Sequence, residues 1–176
     1  ASNSQLARDV AEVALFLKEG EQVEDYRAIR TGMLSDQKRA RELLPPDEWN
    51  RVSALIAKKD WPGYLPKEFQ LYLDGAVAYS AKQWDVAAAS FDQILALPLE
   101  ERRYRSIWAT YMRGRTELKR GDVDLKNSIV HFRRVLKERE AGCHDSLDMG
   151  WESLRIVADH QELNGGDLNE ILRHRF

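Results

Sequence analysis

Apolar residues recur along most of this chain at three- and four-residue steps, and nowhere do they alternate with polar ones over the length of a strand. The pattern predicts an all-α protein. It is clearest from Leu71 to Leu97, where two amphipathic helices meet at a tight turn near Lys82 and Gln83. Trp84, Ala87, Ala88, Phe91, Ile94 and Leu95 form one stripe, and Gly75 and Ala76 are small enough to let a neighbouring helix come close. One helix pair of this kind leaves an apolar face uncovered, so it calls for neighbours of the same shape.

Before that stretch the pattern is less regular. Residues 4–19 predict a first helix, with Ser2, Asn3 or Ser4 as cap, Leu6, Val10, Val13 and Leu17 inward, and Gly20 at its end. A weaker segment runs from Val23 to Met33, interrupted by Gly32. Ser35 is placed to cap Asp36 to Leu44, which Pro45 and Pro46 terminate. Pro46 then opens a helix carrying Trp49, Val52, Leu55 and Ile56 inward as far as Lys58 or Lys59. The run Trp61-Pro62-Gly63-Tyr64-Leu65-Pro66 breaks the periodicity. This divides the chain into an N-terminal helical region, residues 1–62, and a region of helix pairs, 63–176. A stack of pairs exposes an apolar end, so residues 1–62 are expected to cap it by packing on the 67–97 pair.

The pairs repeat. Gly75 precedes Trp84 by nine residues, Gly114 precedes Val123 by nine, and Asp159 precedes Leu168 by nine. Glu117-Leu118-Lys119-Arg120-Gly121-Asp122 aligns with Glu162-Leu163-Asn164-Gly165-Gly166-Asp167, each a Gly-Asp turn in which Gly stops one helix and Asp caps the next. Ala87, Phe91 and Ile94 are matched in spacing by Ser128, Phe132 and Val135. Small residue, aromatic, short turn, bulky apolar residue, Ala or Ser, then Phe: this order resembles the tetratricopeptide repeat, in units at about 67–99, 103–139 and a truncated 146–176. Gly75, Tyr79, Trp84, Ala87, Phe91 and Ile94 carry the resemblance in the first unit, Gly114, Val123, Ser128, Phe132 and Val135 in the second, and Ala158, Leu168 and Ile171 in the third. Asp74 and Arg113 stand where the family has an apolar residue, and the units are longer than its usual ~34 residues.

The resemblance implies an α-solenoid of antiparallel helix pairs whose first helices line a concave groove that holds a peptide or protein partner. By that implication the groove is lined by Phe69, Tyr72, Ala76 and Tyr79, then Trp108, Tyr111, Arg115 and Lys119, then Ile156 and His160. This is an aromatic wall grading into a basic one, suited to burying rigid area and pairing with carboxylates. The competing reading makes the aromatics core and leaves the charges solvated. Ala76 and Met112 stand where a clamp for a chaperone's terminal carboxylate would need polar residues, which argues against that ligand.

Composition narrows the chemistry. The 176 residues carry 43% apolar and 32% charged side chains with a net charge of -2, which gives no electrostatic reason to expect nucleic acid. No apolar run reaches the ~20 residues of a membrane span. The arginine-rich run from Arg102 to Arg120 is diluted by Glu100, Glu101 and Glu117 and reads as a solvated face or intrahelical ion pairs. Cys143 is the only cysteine, so no intrachain disulfide or multi-cysteine zinc site is available. His131, His144, His160 and His174 show no metal-ligand spacing, and Cys143 beside His144 lacks a third group to orient a nucleophile. No cofactor and no catalytic residue is predicted.

The expectation is therefore a non-enzymatic binding module. The alternative is a helical accessory domain of a larger envelope or carbohydrate-processing enzyme, since the chain starts at Ala1 without Met and stops at Phe176 inside a helical pattern. A helical enzyme in its own right would need a deep pocket with two facing carboxylates. The compartment is open between cytoplasm and a periplasmic or secreted location. Leu163, Leu168, Ile171 and Leu172 in the truncated unit would favour a homodimer through that end.

Overall fold

A computed structural model describes residues 2–34, 41–122 and 125–163, and every regular element among them is helical. Three helices precede the breaker: α1 (Ser2–Val13), α2 (Gly20–Leu34) and α3 (Pro46–Lys58). Five follow it: α4 (Lys67–Ser80), α5 (Trp84–Ala96), α6 (Ser106–Lys119), α7 (Ser128–Glu140) and α8 (Met149–Leu163). Each of α4, α5, α6 and α7 packs on its successor, and α6 also touches α8. No described helix is long and apolar enough to cross a membrane.

The later helices begin and end for local reasons. Pro66 stands at the N-cap of α4, and Lys82, with φ of 60°, turns the chain from α4 to α5 at the predicted place. Leu99–Glu101 form a single 3-10 turn before α6. Gly121, with φ of 99°, closes α6 in a conformation that suits glycine. Asp122 then accepts hydrogen bonds from the backbone N–H groups of Asn127 (2.9 Å) and Ser128 (2.6 Å), which start α7. Within each pair the small residue meets a ring. A Cβ added at Gly75 would strike Phe91, and one at Gly114 would lie 2.9 Å from Phe132 Cε1. Phe91 and Phe132 are both wholly buried.

The N-terminal part departs from expectation in three respects. α1 ends at Val13 rather than continuing to 19, and Gly20 opens α2 instead of closing α1. The physical reason is tertiary. The turn after Val13 buries Leu17 and brings the Phe16 ring edge-on to Phe69 (5.6 Å) and Tyr104 (4.7 Å). α2 is a full helix despite its faint periodicity, because Tyr26 and Ile29 are wholly buried and Gly32 allows close approach to α3. A Cβ on Gly32 would sit 2.8 Å from Val52 Cγ1. The segment predicted as Asp36 to Leu44 lies outside the described residues except at 41–44, where 41–43 are helical. Ser35, Val123, Leu168, Ile171, Leu172 and His174 also lie outside them, and with them all of the predicted dimer end but Leu163.

Residues 1–62 share a core with α4: Val10, Val13, Tyr26, Ile29 and Val52 cluster with Trp61, Leu65, Phe69 and Leu73. They also reach beyond the first pair. Arg8 donates to the carbonyl of Ser146 (2.5 Å), and Asp9 and Glu12 both pair with Arg105. α1 therefore lies across the start of α4, the start of α6 and the loop before α8.

Candidate partner-binding trough

The first functional question is what α1 does to the predicted groove. Arg105 stands at the N-cap of α6, and its guanidinium lies 4.0 Å from the ring centre of Phe69 and 4.2 Å from that of Trp108. Its Nη2 donates to Asp9 Oδ1, and its Nη1 donates to Glu12 Oε2 at 2.5 Å. Asp9 also accepts from Arg30 Nε (2.5 Å) and from the Tyr26 hydroxyl (2.8 Å). Burial alone would push the Asp9 carboxyl up, but Arg30, Arg105 and the Tyr26 hydroxyl outweigh it and hold it below its ordinary value. Burial works against the charge on Arg105 too, and Asp9 and Glu12 override it and raise its pKa.

This cluster corrects three sequence expectations. Phe69 and Trp108 have no exposed surface, so they wall the ionic cluster and do not line a groove. Arg105 is wholly buried, so the arginine-rich run is not uniformly a solvated face. Its other members are held between helices as well as within them: Arg102 pairs with Glu138, and Arg113 with Asp92 and Glu117. Glu68 completes the arrangement by accepting from the backbone N–H of Tyr104 (3.1 Å) and Arg105 (2.7 Å). Burial pushes its carboxyl up to about 7 in spite of those bonds.

Beyond the cluster a hollow remains between α1–α3 on one side and α4, α6 and α8 on the other. One chamber, of about 580 Å³, is walled by Met33, Trp49, Ile56, Tyr72, Ala76, Val77 and Met112, among others. A second, of about 520 Å³, is lined by Arg8, Tyr111, Arg115, Leu147, Met149 and Glu152. Gln5, Tyr79 and Met112 line both, which makes the two chambers one trough. Of the predicted residues, Tyr79, Tyr111 and Arg115 come together there, while Tyr72 and Ala76 wall the first chamber. Lys119 is exposed at the end of α6 and His160 is half-buried on α8, and neither lines the trough. Ile156 packs into the cluster around Phe132 and Val157.

Arg115 is the distinctive group. Its Nη1 donates to the Tyr111 hydroxyl at 3.5 Å, and Tyr79 lines the same chamber and helps to raise its pKa. Arg113 and Arg120, on either side, each end on carboxylates. Arg115 meets none among the described residues. The sequence reading missed Gln5, Arg8, Met33 and Trp49, because they come from outside the repeats, and Met149, which stands at the very start of α8. Only their arrival against Tyr79 and Met112 marks them.

Other candidate chemistry is absorbed by structure. Cys143 is buried against Glu138 (3.5 Å), and burial pushes its thiol up, whereas His144 stacks on Tyr104 at 4.2 Å. An acidic hollow around Glu21, Glu24 and Asp25 has its Asp25 carboxylate bound to Arg51 and to the Tyr64 hydroxyl (2.7 Å). Among the described residues no three His, Cys, Asp or Glu side chains converge as a metal ion would need. No family model, curated protein or solved structure matches this chain.

Proposed function

We propose that this chain is a non-enzymatic scaffold of the tetratricopeptide-like class, whose trough receives a protein or peptide segment. The repeat reading is supported by the equivalent contacts of Gly75 with Phe91 and of Gly114 with Phe132. The binding reading rests on Arg115, a half-buried guanidinium that donates to the Tyr111 hydroxyl and shares its chamber with Tyr79, with no carboxylate of its own among the described residues. A cation so placed gains most from an incoming carboxylate or carbonyl, and Tyr and Arg are the residues that dominate binding energy when a partner covers them.

Random dodecapeptides displayed on phage and panned on the purified chain test this. Enriched sequences should lose binding to the Tyr79→Ala/Tyr111→Ala double variant by tenfold or more, with far-UV circular dichroism unchanged. Undiminished binding to the double variant would remove the trough as the site. A panning that enriches nothing would remove peptide capture altogether.

A further inference from the structure

The chamber beneath Trp49 carries a chemistry of its own, separate from peptide capture at Arg115. Its volume of about 580 Å³ falls in the range of small-molecule sites. The walls are mainly apolar, with Met33, Trp49, Ile56, Val77 and Met112 contributing. Two guanidinium groups, Arg30 and Arg41, also line it, and among the described residues no Asp or Glu does. Arg41 lies over the Trp49 ring at 5.8 Å.

Arg30 is the decisive residue. It is only 2% exposed, yet among the described residues its one hydrogen bond is from Nε to Asp9. Its two terminal nitrogens have no acceptor there, while the Tyr72 ring stands 5.8 Å from the guanidinium carbon. The face of a guanidinium fork that remains is shaped for the two oxygens of one carboxylate. Asp9 already neutralises part of the Arg30 charge, so a monoanion suits the chamber better than a phosphate dianion.

We propose that this chamber binds a small amphipathic carboxylate, its oxygens on Arg30 with Arg41 at the mouth, and its medium-length apolar tail against Trp49, Ile56 and Met112.

Isothermal titration calorimetry with sodium decanoate, decan-1-ol and decyltrimethylammonium bromide, each below its aggregation concentration, tests the proposal. Decanoate should bind saturably at one site and at least tenfold more tightly than the cationic amphiphile, with the alcohol between them. Arg41→Ala should weaken decanoate severalfold. Ala76→Phe, which fills the chamber from α4, should abolish binding. Ala57→Trp does so from an exposed position on α3 and serves if the first variant fails to fold. Equal binding of cation and anion, no saturable decanoate binding, or full binding by a folded chamber-filled variant would overturn the assignment. Because the readout uses no peptide, decanoate binding without peptide enrichment would keep this site and lose the trough, and the reverse result would do the opposite.

Discussion

Asp9 on α1 and Arg105 at the start of α6 stand 96 positions apart and form an ion pair in which neither side chain has any exposed surface. Buried ion pairs contribute little net stability over apolar packing, but breaking one from a single side strands the other charge. This pair, with Arg30 and Glu12, is what fastens the N-terminal helices over the inner ends of α4 and α6.

Asp9→Ala should therefore cost about 3–5 kcal/mol, because it leaves Arg30 and Arg105 facing each other in the core with only Glu12 as counterion. Urea denaturation followed by circular dichroism measures it. A loss under ~1 kcal/mol would mean that water enters the cluster and α1 is not firmly held.

Glu68 makes stability depend on pH in an unusual direction. Its folded carboxyl titrates at about 7 against an ordinary 4.5, so between those values the folded chain keeps a proton that the unfolded chain has lost. Its contribution is full below the lower value, falls as pH rises between them, and is level above. His131, whose pKa burial lowers, acts in the opposite sense, which a comparison of variants cancels. The stability difference between wild type and Glu68→Gln, from urea melts at about pH 5.5 and about pH 7.5, should shift against wild type at the higher value. A difference that does not change with pH would show Glu68 to be ionised throughout.

Gly75→Ala should destabilise by roughly 1–3 kcal/mol, since the new methyl meets the wholly buried Phe91 ring and overpacking outweighs the gain in helix propensity. Pairing it with Phe91→Leu should recover part of the loss, giving a coupling of at least ~0.5 kcal/mol in a double-mutant cycle. Strict additivity would place the two residues apart.

Asp122→Ala should cost about 1 kcal/mol by removing the carboxylate that starts α7. Its Oδ2 also accepts from the Ser128 hydroxyl at 2.7 Å. Asp122→Asn, which keeps an acceptor oxygen, should restore part of that loss in the same urea melts.

Much of the helical layout from residue 67 to 140 was legible in the chain because its determinants are local. The stripe through Ala87, Phe91 and Ile94, the turn at Lys82 and the cap at Asp122 each act within a few residues of themselves. The candidate site was legible only in part. Tyr79, Tyr111 and Arg115 do meet at the trough, but Phe69 and Trp108 look identical to them in sequence and are sealed away. Gly32 looked like an interruption of α2 and is instead a point where α2 comes close to α3.

The linear pattern alone determined that the regular elements of the described residues are helical and that Gly75 leaves room for a close neighbour, since period and side-chain size are properties of short segments. Where α1 lies was a tertiary decision. Nothing local marks Asp9, Glu12, Arg30 and Arg105 as buried; segments nearly a hundred residues apart bring their opposite signs together out of water. That encounter separates the aromatic residues that wall the core from those left facing the trough.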